Sequence, residues 1–341
     1  MTSAISPQPA RAPIRAWLFF TALLVFCMVI VGGATRLTDS GLSITEWQPL
    51  LGAIPPLSDA DWQAAFDKYK LIPEAQTVNA GMTLAEFKFI YWWEWAHRLL
   101  GRFIGLALFL PLVVLVARRM IGRRLLARLV LILVLGGLQG GLGWYMVASG
   151  LVDRVDVSQY RLAAHLTLAV LIFGALLWVG LDLDFARRWR NARQARLAIV
   201  IVLLVLLQIA AGGFVAGLDA GMGYNTWPLM DGAIVPKGLA VMEPWWKNLF
   251  ENALTVQFDH RILAYAVIAL VAIQWASMRT GSALILLLAG LGQFALGVWT
   301  LLAQVPLGVA LAHQGGALIF FAAALWHLHG MLSRSPVPDR Q

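Results

Sequence analysis

Charged residues are scarce in this chain. They make up 13% of the 341 residues, whereas hydrophobic residues make up 60% and the mean hydropathy is +0.74. Soluble domains contain about one quarter charged residues, so this composition excludes a soluble globular protein and indicates an integral membrane protein. The net charge of +8 does not indicate nucleic-acid binding, because the basic residues flank apolar runs instead of forming a basic surface.

Cysteine is nearly absent. The single cysteine, Cys27, lies inside the first apolar run, so an internal disulfide is excluded and the redox compartment cannot be inferred from thiols. The first run is longer than the core of a signal peptide and is followed by no convincing cleavage site. We therefore expect this run to be an uncleaved membrane span.

Long apolar runs are the dominant feature of the sequence. Eight of them reach the length of about 20 residues that a membrane-spanning helix needs. The predicted spans are 16–34, 86–117, 125–148, 160–182, 197–217, 252–277, 281–303 and 306–331. The segments on one side of these spans hold 15 of the 26 Lys and Arg residues and 3 of the 18 acids. Basic residues accumulate in cytoplasmic loops, so we expect a multi-pass protein of the inner membrane with both termini in the cytoplasm.

The two long outer loops resemble each other. Residues 32–56 and 212–236 align without a gap at a constant offset of 180. The shared residues include Asp39/Asp219, Gly41/Gly221, Trp47/Trp227, Gly52/Gly232 and Pro56/Pro236. The likeness continues in the spans that follow, which indicates two repeated units in tandem.

Each predicted unit contains an even number of spans, so both units insert the same way up and are related by a pseudo-two-fold along the membrane normal. The predicted fold is an all-α integral membrane protein made of two tandem four-helix bundles. The predicted divisions are a cytoplasmic tail at 1–15, the first bundle at 16–183, a cytoplasmic linker at 184–196, the second bundle at 197–331 and a tail at 332–341.

Four of the six histidines occupy matched positions, His97 and His165 in the first unit and His260 and His313 in the second. All four fall in the outer part of parallel spans, so each unit can present two imidazoles at similar depth. Haem iron takes axial ligands on opposite faces, and imidazoles from two helices of a bundle can supply them. Zinc would need further ligands at close spacing, so the pattern favours haem.

Small and basic residues accompany these histidines. Glycines of the third and seventh spans would leave room for a flat macrocycle, although close helix packing also explains them. They are Gly136, Gly137, Gly140, Gly141, Gly143, Gly290, Gly292 and Gly297. Arginines near the outer interface are candidates for pairing with haem propionates. They are Arg98, Arg102, Arg161 and Arg261.

The two units differ beside the first histidine of each. Glu94 lies three residues before His97, on the same helical face, whereas Gln257 stands at the matched place in the second unit. An ionisable residue inside a span is a functional candidate by default, although a salt bridge to Arg98 or Lys88 would also explain Glu94. The asymmetry predicts that one site performs chemistry and the other holds a cofactor for electron transfer.

Several motifs together resemble the heme A synthase family. They are the ExxHR sequence at Glu94–Arg98, the His260-Arg261 pair, and the loops SGLSITEWQPLLGAIPP and AGMGYNTWPLMDG. The resemblance runs from about Gly32 to His313. It implies a membrane oxidoreductase that converts heme O to heme A, for cytochrome oxidase assembly, by two successive oxidations of the porphyrin C8 methyl group to a formyl.

The resemblance also implies roles for individual residues. His260 and His313 would ligate a resident haem b, which is the implied cofactor. His97 and His165 would ligate the iron of the substrate haem, and Glu94 would be the essential acid. Some members carry a cysteine pair in the first outer loop, which is absent here. The chain therefore resembles the cysteine-free branch of mitochondria and related bacteria, and electron relay through a loop disulfide is excluded.

Two other functions remain open from the residues alone. A di-haem cytochrome b that takes electrons from quinol explains four histidines equally well, but it gives Glu94 no specific task. A haem exporter or chaperone would bind haem at the outer face without changing it. The expected partners are heme O, membrane lipid, the enzyme that makes heme O, and an electron-transfer protein or quinone; no nucleic acid is expected.

Overall fold

The computed structural model describes residues 11–49, 51–152, 154–183 and 192–332, and within these ranges the chain is helical without a β-strand. The helices are α1 (Arg11–Leu37), α2 (Asp59–Tyr69), α3 (Pro73–Thr77), α4 (Leu84–Ala117), α5 (Arg123–Val147), α6 (Gln159–Asp182), α7 (Ala192–Gly217), α8 (Asn248–Glu251), α9 (Ala253–Met278), α10 (Gly281–Leu302) and α11 (Leu307–Leu332). Of these, eight are long and apolar enough to cross a membrane. The prediction of an all-α protein with eight spans is confirmed.

The first and fifth spans begin earlier than the hydropathy of the sequence indicated. Helix α1 begins at Arg11 and helix α7 at Ala192, so the ends of the predicted tail at 1–15 and linker at 184–196 are helical. The first turn of each helix contains a basic residue, Arg11 in α1 and Arg193 in α7, which lowers the local hydropathy without interrupting the helix. The rest of the tail and linker, and the C-terminal tail after Leu332, lie outside the described residues.

Each half of the chain closes its own ring of four helices. Helix α1 packs on α4, α4 on α5, α5 on α6, and α6 on α1; α7, α9, α10 and α11 pack in the same cyclic order. The rings meet where α1 packs on α11, α6 on α7, and α6 on α11. A two-fold axis that relates the halves would convert the contact of α1 with α11 into the contact of α7 with α6, and it would leave the contact of α6 with α11 unchanged. The two-fold and the domain limits stay predictions, which this packing supports.

Adjacent glycines explain how closely the two rings approach. They occur at matched places, Gly32-Gly33 in α1 and Gly212-Gly213 in α7. A Cβ atom on the second glycine of α1 would lie 1.7 Å from Oε1 of Gln314 in α11, and one on the second glycine of α7 would lie 2.9 Å from Cα of Ala163 in α6. A larger residue at Gly33 would displace the end of the Gln314 side chain, and one at Gly213 would collide with the backbone of α6; small residues are what membrane helices use for close contact.

The outer loops of the halves differ. The first forms a cap in which α2 and α3 pack on the start of α4 through an aromatic cluster that includes Trp62, Phe66, Tyr69 and Phe87. A capping box in which Ser58 and the residue three positions later satisfy each other's backbone N–H starts α2. The second loop has only short helical turns and α8.

Two histidines outside the matched set lie at the opposite end of the bundle. His327 and His329 are buried, with 2% and 6% of their surfaces exposed. His327 Nε2 lies 3.0 Å from the Gln274 amide nitrogen, and His329 Nε2 lies 2.9 Å from an Asp182 carboxylate oxygen. Both therefore have protein partners at the ends of helices, and neither belongs to a paired site.

Candidate active site

The structure brings the four matched histidines together in pairs. His97 on α4 lies diagonally across the first ring from His165 on α6, and His260 on α9 lies diagonally across the second ring from His313 on α11. All four residues are partly exposed although they lie within apolar helices.

A glycine of a neighbouring helix lies against every one of these rings. A Cβ atom built on that glycine would lie 2.8 to 3.3 Å from the Cε1 atom of the histidine. The pairs are Gly32 with His97, Gly143 with His165, Gly212 with His260, and Gly297 with His313. A larger residue would displace the ring at Gly32, Gly143 and Gly297 and would crowd it at Gly212, so these glycines serve the site directly.

The residues present fit a haem with two imidazole ligands. The Nδ1 atoms of His97 and His165 are buried without a hydrogen-bond partner in the described part of the chain. Most of the glycines predicted to flank a macrocycle border open space, namely Gly136, Gly137, Gly140, Gly141 and Gly292. Within the described ranges no group of three or more His, Cys, Asp and Glu residues could hold a metal ion, so the donor set suits a haem better than zinc.

Glu94 joins α4 to the first outer loop. We call Glu94 and Arg98, with the loop groups that they bond, the clasp of the first half. The side chain is 3% exposed and accepts four hydrogen bonds. Arg98 donates to Oε1 from Nε at 3.0 Å and from Nη2 at 2.6 Å, while Ser43 Oγ and the Ile44 amide each donate to Oε2 at 2.7 Å. Four donors around one group are the arrangement that an ionised carboxylate requires, since it can only accept. The salt bridge considered from the sequence is thus present, and its partner is Arg98.

The second half builds the same clasp without the charge. Arg261 donates to the carbonyl oxygens of Tyr224 and Thr226 at 2.6 and 2.8 Å, and to Gln257 Oε1 at 3.1 Å. The Gln257 amide then donates to the Ala220 carbonyl at 2.8 Å. Where the first loop offers Glu94 a hydroxyl and an N–H, the second loop offers Gln257 a carbonyl oxygen, so each loop matches its own side chain.

The arginines that were candidates for propionate pairing are largely engaged by the protein. Arg98 also donates to the carbonyl oxygens of Ile44 and Glu46, at 2.7 and 3.0 Å, which are the counterparts of the Arg261 bonds. Arg102 donates to two loop carbonyls and keeps one buried nitrogen, Nη1, without a partner in the described chain. Arg161 stacks on the ring of Tyr145 and donates to its carbonyl. Propionate pairing stays a prediction, and Arg102 has the donor for it.

Three glutamines contact the site histidines and had no assigned role from the sequence. They are Gln139 on α5, Gln208 on α7 and Gln293 on α10. Two of them end the matched LGGLQ and AGLGQ sequences, and the third interrupts the apolar run LLVLLQIAA. An uncharged polar residue inside a span was the available signal, because an amide there needs a partner.

Comparison with known proteins agrees with this geometry. The COX15-CtaA family, described as a cytochrome oxidase assembly protein family, matches residues 15–325. A heme A synthase of Parvibaculum lavamentivorans is 54% identical over 321 residues, covering 93% of each chain. Heme A synthases of Mesorhizobium japonicum and Azorhizobium caulinodans are 53% identical over 338 residues, covering 96% of this chain and 93% and 97% of theirs. The family resemblance inferred from the motifs is confirmed, and this chain belongs to the COX15-CtaA family of cytochrome oxidase assembly proteins.

Proposed function

We propose that the protein is a heme A synthase, which oxidises the C8 methyl group of heme O to a formyl and so provides heme A for cytochrome oxidase assembly. One observation carries the proposal: each half holds a matched histidine pair, and only in the first does a buried carboxylate, Glu94, lie one helical turn before a histidine, where the second half has Gln257. Relatives at about half identity over nearly the whole chain bear the same enzyme name.

We assign the second half to the resident cofactor. His260 and His313 would ligate a haem b, which supplies one-electron redox chemistry when it is bound. Gln257 keeps that half free of a buried negative charge. Electron transfer needs a site that stays intact through the reaction, and a neutral clasp around a fixed histidine pair suits that task.

We assign the first half to the substrate. His97 and His165 would hold the iron of heme O from two helices, α4 and α6. Arg98 and Arg102 tie the loop segment 44–49 to α4 through its carbonyl oxygens. The loop thereby covers the outer end of this half and limits the access of water.

Glu94 acts in this proposal as a fixed negative charge. Each of its two oxygens already accepts two hydrogen bonds. Three of the four donors, two N–H groups of Arg98 and the Ile44 amide, keep their protons. The arrangement favours a carboxylate that stabilises positive charge developing on the oxidised methyl carbon over one that carries protons. Because these donors are in place before substrate binds, little rearrangement is needed during the reaction.

The orientation in the membrane and the partners follow from the same assignment. The arginine-rich side faces the cytoplasm of a bacterial inner membrane, so both sites lie toward the outer side. Heme O reaches the first half through the lipid or from the enzyme that makes it, and electrons are exchanged with a quinone or an electron-transfer protein.

Pigment analysis tests the function. The protein is expressed with a heme O synthase in a host without its own heme A synthase, and membrane haems are extracted and separated. We expect a formyl porphyrin, and none from a His97→Ala variant. Unchanged heme O together with quinol-dependent reduction of haem b would identify a di-haem cytochrome instead. Unchanged haem released from the membrane would identify an exporter.

A further inference from the structure

A glutamine lies one helical turn before the glycine at three of the four histidines. The QxxxG pairs are Gln139 with Gly143 on α5, Gln208 with Gly212 on α7, and Gln293 with Gly297 on α10. Residues four apart lie on one helical face, so the amide and the gap left by the glycine meet the same imidazole. We call each of these a QxxxG cradle.

The glutamine of each cradle bonds the histidine of another helix at two places. Its amide nitrogen donates to the main-chain carbonyl of the histidine, at 3.0 Å for His165, 3.0 Å for His260 and 2.9 Å for His313. The same nitrogen lies 3.0 to 3.3 Å from a nitrogen of the ring. The bond to the carbonyl holds the helix, and the contact with the ring restricts its rotation.

The side-chain oxygen of each of these glutamines is available as a hydrogen-bond acceptor. The Oε1 atoms of all three glutamines are buried without a partner in the part of the chain that the structure describes. An imidazole that ligates iron through one nitrogen carries its proton on the other, and an acceptor for that proton fixes the ring and makes it a stronger ligand. A half-turn of the amide would place this acceptor at the ring, in exchange for the bond that the amide nitrogen donates to the main-chain carbonyl.

The fourth histidine lacks a cradle. Met28 occupies the place that Gln208 has in the second half, four residues before Gly32. Its methyl group packs toward Gly101, where a Cβ atom would lie 3.2 Å from it. The Nδ1 atom of His97 is buried and has no partner among the described residues. A thioether is a weak acceptor at best, so Met28 leaves the His97 ring without the restraint that the other three have.

We propose that the three glutamines are positioning residues that make their histidines lasting haem ligands. Met28 leaves His97 free to turn, which makes it the exchangeable ligand through which substrate enters and product leaves. The second part rests on the proposed function, because it takes the first half as the substrate site. A synthase must release its product, so one weakly held ligand at that site has a use, whereas a resident cofactor is better served by two restrained ligands.

Reciprocal substitutions at the matched position test the proposal. Gln208→Met removes a cradle and Met28→Gln adds one. The purified proteins, carrying haem b and loaded with heme O, are mixed with excess apomyoglobin as a haem acceptor, and the transfer of each haem is followed. One hydrogen bond gained or lost predicts about three- to tenfold faster release of haem b from Gln208→Met, and about three- to tenfold slower release of heme O from Met28→Gln.

Electron paramagnetic resonance of the oxidised proteins supplies a readout that general destabilisation would not reproduce. Gln208→Met should broaden the low-spin haem b signal, because an unrestrained imidazole adopts several orientations, whereas Met28→Gln should leave that signal unchanged. Gln274→Met is the control, since Gln274 is buried in α9 but bonds His327 and not a site histidine. It should alter neither the release rates nor the signal.

Equal release rates in the parent and both swap variants, with an unchanged resonance signal, would overturn the proposal. Should Gln208→Met fail to accumulate, Met28→Gln decides alone, because slower heme O release is expected only from an added restraint. The outcome is separable from that of the proposed function. If the parent makes no heme A the function is wrong, yet the haem b release from Gln208→Met still tests the cradle.

Discussion

The two halves of this protein share a frame and differ in a few side chains. Arg98, one helical turn after Glu94, donates to two loop carbonyls, and Arg261, one turn after Gln257, donates to the two matched carbonyls of the second loop. In both halves a glycine packs against each histidine ring. The first half adds a buried carboxylate, Glu94, and a helical cap, and it has Met28 where the second has Gln208. The differences concentrate around one histidine, His97, while the other three environments are alike.

This contrast suggests how a duplicated haem-binding bundle can divide its tasks. The shared parts, the glycines and the arginine clasp, are what any paired-imidazole site in a helical bundle needs. The parts that differ are the charge of Glu94 and the missing restraint on the His97 ring. A substrate site uses both, and a cofactor site does not. Substitutions that move one half toward the other are therefore the most informative experiments.

The largest effect is expected from removing the charge of the first half. Glu94→Gln loses the ion pair with Arg98, and its amide cannot accept from all four donors. We expect heme A formation to fall by about a hundredfold or more, as when a preorganised electrostatic group is removed, while haem b is retained. Pigment analysis of membranes from variant and parent measures both quantities.

Ser43→Ala is the matched control for that substitution. It removes one of the donors to Glu94 and keeps the charge. If Glu94 acts through its charge, Ser43→Ala should reduce product far less than Glu94→Gln. Near-normal heme A in Glu94→Gln would instead leave Glu94 as a residue that anchors the loop.

A second experiment puts the charge into the other half. Gln257→Glu would direct a carboxylate oxygen at the Ala220 carbonyl, because the second loop offers an acceptor there. Leaving these buried acceptors unpaired should cost about 1–3 kcal/mol and should give no gain in heme A formation. Thermal unfolding followed by haem b absorbance measures the cost. An unchanged or raised stability would show that the loops are not specific for their side chains.

The clasps themselves can be compared by conservative substitution. Lysine cannot reproduce a guanidinium that bonds two carbonyls and a side chain at once. Arg98→Lys should loosen the loop segment 43–49 and lower product about tenfold with haem b retained, whereas Arg261→Lys should loosen 223–229 and increase haem b loss. Hydrogen exchange of the two loops, together with pigment analysis, tests this division. Identical effects of the two substitutions on both readouts would argue against it.

The last comparison concerns the cap, which only the first half has. Glu74 in α3 is 5% exposed, and burial raises its pKa to about 8, with further contributions from nearby carboxylates. The folded cap keeps this proton while the unfolded chain releases it near pH 4.5. Cap stability should therefore decline as the pH rises from about 4.5 to about 8 and then level off, by about 1.4 kcal/mol for each pKa unit of difference.

Hydrogen exchange of α2 and α3 across this pH range measures the decline, corrected for the intrinsic rate. Glu74→Gln should remove it, because an amide does not titrate, while the exchange of α8 in the second half should show no such dependence in either protein. A pH dependence that persists in Glu74→Gln would assign it to another group.

Much of the fold was predictable because its determinants are local. Hydropathy alone predicts the eight spans, since a helix that crosses lipid must be apolar over its length, and the repeat aligns the four histidines. The cap was not predicted, although the spacing of Ser58 and Asp61 is a capping signal. Hydropathy assigns the aromatic residues of the cap to a long loop, because the helices that these residues form are short.

The site was predictable in its ligands but not in its hydrogen bonds. Arg98 was a candidate for propionate pairing, and its bonds to the first outer loop were not foreseen. Which of two acceptors an arginine reaches depends on how close a loop comes to a helix, and that distance arises from packing that no local pattern encodes. Gln208 could have been noticed as a polar residue in an apolar run, but its partner, His260, lies 52 residues away.

Assigning the haem b ligands tests the central claim most directly. Four single variants, His97→Ala, His165→Ala, His260→Ala and His313→Ala, are purified from cells that make no heme O, and haem b content and its low-spin spectrum are measured. If the second half holds the resident cofactor, haem b is lost or its spectrum changed in the His260 and His313 variants, and both stay normal in the other two. Loss of haem b from the His97 and His165 variants, with normal haem b in the other pair, would contradict the account.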